Sequence, residues 1–284
     1  MSSTTIDAST TGERRPLRWE TFSARDAHLH EGAVDEVLTR RRDGVTVTGI
    51  YEPEEIDRAL AHFEDPRTPK LDHTFGALIG MSLGMVGEEP DRSRYLDDTA
   101  QAMEIYEEAF GFDPFERLAD RIRPLAGGRD LAPPYEDGRP YNAGQIRMWD
   151  PGSGGLPAHV GNEFRALMEH GAMRHLLTVT AVKDHLSYFV VLRRPEVGGA
   201  LTVYDLLWEE DQGIGDVWEN GARKDSRFSD VPGVQFTPGP GDLILFGGGW
   251  RWHRVDPLGP ASRRVTYGGF AAPSLDGRTL HFWA

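Results

Sequence analysis

Residues 145–164 read QIRMWDPGSGGLPAHVGNEF. Gln145 to Trp149 alternates as a strand, a Gly/Pro-rich turn follows, and the chain then delivers His159 two residues before Gly161. Two later stretches answer this one. Residues 187–205, SYFVVLRRPEVGGALTVYD, hold two apolar runs joined by a Pro/Gly turn and read as a hairpin. Residues 238–255, PGPGDLILFGGGWRWHRV, give a turn, a buried strand and then His253, and RRVTY follows at 263–267.

Outward from these segments, short β-rich runs separated by Gly and Pro continue after Pro140. They are Gln145 to Trp149, Leu176 to Val182, Ser187 to Leu192, Ala200 to Leu207, Asp242 to Phe246 and Arg263 to Phe270, a spacing that predicts a sandwich or barrel. Before Pro140 the pattern is mostly helical. Residues 44–50 form one early strand, Glu52-Pro53-Glu54-Glu55 opens a helix, and residues 96–125 read as two helices broken near Gly111 that support a sheet. No long βαβ alternation is present, which excludes a doubly wound fold. Residues 1–23 are expected to be a disordered leader, 24–284 one domain, 24–140 its helical support, 141–271 its β core and 272–284 a C-terminal tail.

Composition narrows the chemistry. The 284 residues contain no cysteine, so disulfides, thiolate nucleophiles and zinc-thiolate or iron–sulfur sites are excluded, and a metal must be held by His, Asp, Glu or a bound small molecule. The net charge of −14 disfavours a nucleic-acid polymer as partner. No run of 18 apolar residues suggests a membrane span, and a cytoplasmic protein is expected.

Taken together, His159, the G-G-x-x-T-x-Y of residues 198–204, the P-x-x-G-D-x-x-x-F of residues 238–246, the H-R-V of 253–255 and Arg264 with Thr266 resemble the iron(II)- and 2-oxoglutarate-dependent oxygenases. The resemblance covers residues 141–271. It implies a mainly β protein with a helical N-terminal part, built on a double-stranded β-helix (jelly roll, cupin-like) core. It further implies that His159 and His253 hold Fe(II), and that Arg264 with Thr266 on the same strand face grips 2-oxoglutarate, Arg263 being the neighbouring alternative. The other histidines, His73, His170, His175 and His185 among them, read as structural or surface residues.

The family motif places Asp or Glu two residues after the first histidine, and here that residue is Gly161. The chain therefore resembles the halogenating branch, in which chloride fills the place the carboxylate leaves. This resemblance implies Fe(II), 2-oxoglutarate, chloride and O2 as cofactors and co-reactants. Within it, Gly161 makes room for the halide, and Asn162 either donates a hydrogen bond near the metal or caps a helix. A Gly161→Asp change is expected to restore a carboxylate ligand. Glu163 is the nearest native carboxylate, and with it as third ligand the chain would be a hydroxylase. A non-catalytic cupin-like binding module is the reading from another class.

Length and motif spacing resemble the stand-alone halogenases of free alkaloids and nucleotides. The implied substrate is a free small-molecule natural-product precursor, with a deoxyadenosine nucleotide favoured over an indole alkaloid or an amino acid. Trp149, Phe164, Tyr204, Trp208, Trp250 and Trp252 lie near the motifs and are candidates for its pocket.

Overall fold

The computed structural model describes residues 16–87, 92–164, 171, 173–208, 218–219, 222–223 and 228–284. Two sheets face each other. The larger runs, in order, Trp19–Ser23, Gly44–Thr48, Leu243–Phe246, Leu186–Arg193, Arg264–Pro273, Gln145–Trp149, Gly76–Ile79 and Leu71–His73. The smaller runs Gly233–Phe236, Leu201–Leu207, Arg251–Val255 and Leu156–His159.

The period of two along a strand decides which side chain meets which layer. Tyr188, Val190, Leu192, Leu243, Leu245, Val265 and Tyr267 turn to one side and pack with Ile56, Phe63, Tyr106, Phe110 and Leu118 of the helices. Their alternates Phe189, Val191, Ile244 and Phe246 turn the other way and meet Leu201 and Val203 of the small sheet. The first face buries the helical support, and the second makes the interior of the jelly roll.

The helices start and stop where their capping chemistry predicts. Pro53–Glu64 opens with a capping box between Glu52 and Glu55, and Ser93–Phe110 ends at Gly111, whose φ of 78° suits glycine. Asp113 then caps Pro114–Ile122 by accepting from the Phe115 and Glu116 amides.

Four local expectations are corrected. The run from Leu176 to Val182 contains the helix Arg174–Val179 instead of a strand. Strands Leu186–Arg193 and Leu201–Leu207 do not pair as a hairpin, because Gly198 and Gly199, both at positive φ, carry the chain from the large sheet into the small one. Residues 272–284 are no loose tail, since Thr279–Trp283 pairs with the end of Arg264–Pro273. In the expected leader, Trp19–Ser23 is a strand paired in parallel with Gly44–Thr48, and residues 1–15 lie outside the described residues.

One buried ion pair anchors the strand that carries His253. Arg251 and Asp43 are both almost fully buried, and the guanidinium meets the carboxylate at 2.9 Å, with Asp205 at 3.4 Å. Removing one partner leaves the other charge in the core, which typically costs about 3–5 kcal/mol. Asp43→Ala is expected to lower stability by about that amount, read from the denaturation midpoint, while Asp65→Ala on the surface changes it little, since exposed pairs contribute at most about 1 kcal/mol.

Candidate active site

His159 ends the strand Leu156–His159, and His253 sits at the middle of the neighbouring strand Arg251–Val255, where the two residues are register partners. Their rings lie side by side with centroids 4.2 Å apart. Each ring is oriented by its own backbone: His159 Nδ1 meets Pro157 O and His253 Nδ1 meets Arg251 O, both at 2.8 Å. A carbonyl only accepts, so Nδ1 carries the hydrogen and Nε2 carries the lone pair, the arrangement of a metal-binding imidazole. Burial, reinforced by the neighbouring His159, holds the His253 pKa well below its usual value and keeps the ring neutral.

The backbone around Gly161 is clamped against the turn that precedes His253. Gly161 N donates to Gly248 O at 2.8 Å and Asn162 N to Gly249 O at 2.9 Å. The Asn162 carboxamide is turned to Asp184, giving Nδ2 to its carboxylate at 2.7 Å and accepting from its amide at 3.1 Å. That pair ties two loops together. Glu163 lies in the short 3-10 turn Gly161–Phe164, with Oε2 3.4 Å from Val160 N. Among the described residues no group of three or more His, Asp or Glu side chains is placed to hold a metal.

Across the interior, Arg264 and Thr266 face inward from one strand, and both are buried. Arg264 packs over Phe189 and Trp149, at 5.0 and 5.7 Å from the ring centroids, and lines a cavity of about 350 Å³. Burial and the nearby Arg147 push its pKa down to about 9. Among the described residues no carboxylate pairs with it, so the interior holds a cation without its counter-charge. Arg263 points outward, with its side chain 55% exposed and Glu64 4.0 Å away. The two neighbouring arginines are thus separated by the alternation of the strand.

Several aromatic candidates lie elsewhere. Tyr204, Trp208 and Trp252 pack with Phe228 on the outer face of the small sheet, and Trp250 belongs to the helix-side core. Trp149 stacks on Phe75 at 4.0 Å beside Arg264. The Phe164 side chain and His170 lie outside the described residues. His73 and His175 are distant from the histidine pair in the fold, on the edge strand Leu71–His73 and the helix Arg174–Val179.

Two neighbours of the site escaped the sequence reading. His185, expected to be structural, is 1% exposed and stands against Gly161. Ser187 comes close to the Gly248 backbone, where an added Cβ would meet Ser187 Oγ at 2.1 Å and His253 Cε1 at 3.4 Å. The signal was available in the alternation: His185 and Ser187 share the parity of Phe189 and Val191, which point inward.

Residues 16–284 match the profile of the carrier-protein-independent halogenase WelO5. The chain belongs to that halogenase family. No curated protein matches it in sequence. Among solved structures it is similar to an N-substituted L-amino acid dioxygenase from Burkholderia ambifaria AMMD, at 14% identity, with a TM-score of 0.57 over 89% of this chain and 90% of that one. The same dioxygenase in complex with alpha-KG gives 14% identity and a TM-score of 0.54 over the same shares. These likenesses establish the fold as that of the 2-oxoglutarate oxygenases.

Membership of the halogenase family makes the chain an enzyme dependent on Fe(II), 2-oxoglutarate and O2, with chloride as co-reactant, acting on a small molecule without a carrier protein. The residues present fit that set. Two adjacent imidazoles, each with Nδ1 held by a backbone carbonyl, suit Fe(II), and the buried Arg264 guanidinium suits a dicarboxylate. No described helix is long and apolar enough to cross a membrane.

Proposed function

We propose that this enzyme chlorinates an unactivated C–H bond of a free small molecule, with His159 and His253 as the protein's ligands to iron. The observation that carries the reading is the pair of adjacent histidines with Gly161, which has no side chain, two residues after the first of them. An iron site with two protein ligands keeps a position for a halide once 2-oxoglutarate has bound through two atoms. When bound, iron and 2-oxoglutarate supply the oxidising power that takes a hydrogen atom from the substrate and leaves succinate.

The chain's own residues orient and exclude. Pro157 O and Arg251 O fix the tautomer of the two histidines, and the Asp43–Arg251 pair holds the second of them rigidly in the sheet. Arg264 would hold the far carboxylate of 2-oxoglutarate, and Thr266, one step along the same strand face, would add a hydroxyl. Phe189 and Phe246 keep water from the space between, Phe246 lying edge-on to His253 at 4.8 Å.

The favoured substrate is an anionic one, a deoxyadenosine nucleotide. Its support beyond the resemblance is Arg147, which shares the inward face of its strand with Gln145 and Trp149. Its guanidinium has Gln145 Oε1 as neighbour at 3.4 Å and no carboxylate partner among the described residues. The test is substrate-triggered formation of succinate under air, comparing deoxyadenosine monophosphate with deoxyadenosine, an indole and a free amino acid. Stimulation by the nucleotide and not by the nucleoside is expected, and Arg147→Ala should raise the KM for the nucleotide about tenfold or more, the loss of one charge-assisted pair. Equal stimulation by nucleoside and nucleotide contradicts the anionic reading.

A further inference from the structure

Among the described residues, His185 is the one histidine near the site that neither the motif nor the proposed chemistry uses. Its Nδ1 is 3.0 Å from Val182 O, and its Nε2 is buried and finds no hydrogen-bond partner in the described structure. A Cβ built on Gly161 would lie 2.3 Å from both Cε1 and Nε2 of this ring. The orphaned nitrogen therefore faces the backbone position from which the absent carboxylate would hang.

Two aromatic rings flank the imidazole. Phe270 meets it edge-on at 5.1 Å and Trp283 at 6.0 Å. Its backbone is closed on the other side by Gly249, whose amide donates to His185 O at 2.8 Å, and a Cβ on Gly249 would strike His185 O and N at 2.6 and 2.7 Å. Gly249 thus closes on the His185 backbone while Gly161 faces its ring, and a contact near 2.3 Å is far inside any tolerable packing distance.

We infer that His185 is a specificity-determining residue: its imidazole excludes any side chain at position 161 and so holds the site to two protein ligands. This deepens the halogenase reading, on which its biological meaning rests. It also changes what sequence alone predicts for Gly161→Asp. If glycine were merely a missing ligand, alanine would be harmless there and aspartate would add a donor. With His185 in place the conflict begins at Cβ, so alanine and aspartate fail alike. A carboxylate reaches the metal only when the ring is shortened as well.

The test measures binding of Co(II) by calorimetry and apo stability by thermal unfolding for wild type, Gly161→Ala, Gly161→Asp, His185→Ala and the double variant Gly161→Asp/His185→Ala. Both single changes at 161 should lower the unfolding temperature and bind Co(II) no tighter than wild type. The double variant should recover stability over Gly161→Asp and bind Co(II) at least about tenfold tighter, the scale on which ligand-shell changes act. The Co(II) absorption spectrum should change in the double variant only.

A stable Gly161→Ala protein, or a Gly161→Asp protein that gains Co(II) affinity with His185 intact, overturns the inference, and the first of these needs no change at His185. A folded double variant without added affinity overturns it too. None of these readouts contains chloride, 2-oxoglutarate or substrate, so they stand or fall apart from the halogenase reading, which the chloride dependence of the wild type decides.

Discussion

His253→Ala is expected to remove Fe(II) binding and turnover together while leaving the protein folded. A two-histidine site loses half of its protein donors in this change, and loss of a mere orienting partner already costs about 10- to 100-fold in metal affinity. The expected loss for His253→Ala is therefore at least about 100-fold in Fe(II) affinity, measured by anaerobic titration. The fold survives because the anchor of that strand is Arg251 on Asp43, two residues away, and this pair does not pass through the imidazole. His175→Ala, whose ring meets Tyr135 O at 2.8 Å and lies tilted to Tyr141, is the matched control and should bind iron as the wild type does. Loss of iron in the control but not in His253→Ala would assign the metal elsewhere.

The second large effect separates two neighbouring residues. Arg264→Ala is expected to weaken 2-oxoglutarate binding by about 30- to 3000-fold, because truncating one partner of a buried charge pair costs roughly 2–5 kcal/mol. Arg263→Ala, whose guanidinium is exposed near Glu64, should change it less than about threefold. The sign of the accompanying stability change is diagnostic. In the absence of 2-oxoglutarate, Arg264 is a buried cation beside Arg147 with no ion-paired carboxylate among the described residues, so its removal relieves the apo protein and the unfolding temperature should hold or rise. A role for Arg264 confined to packing predicts the opposite pattern, lower stability with unchanged 2-oxoglutarate affinity.

The strands that carry the site were legible in sequence for a specific reason. In Ser187 to Leu192 and in Leu243 to Phe246 nearly every residue is apolar, which marks strands covered on both faces, and both faces are indeed buried. The order of His159, His253 and Arg264 along the chain points to the proposed site, since the jelly roll brings strands distant in sequence side by side. The Leu201–Leu207 strand was found but its partner was not, because a tight Pro/Gly turn reads alike whether it closes a hairpin or crosses between sheets. The run near Leu176 misled because Thr178, Val179, Thr180 and Val182 favour strands, while tertiary packing of Leu176 selects a helix. His185 stayed hidden for a different reason. A wall residue belongs to no motif, and only the missing Cβ at Gly161, seen in three dimensions, reveals what it does.

The central claim is that the position vacated at Gly161 serves a halide. The measurement that tests it most directly is the mass of the product formed when the Fe(II)- and 2-oxoglutarate-loaded enzyme meets O2 and a substrate that triggers succinate formation, in buffers containing chloride, bromide or neither. A chlorinated product with chloride and a brominated one with bromide is the predicted result. A hydroxylated product alone, formed at the same rate in all three buffers, would contradict the account.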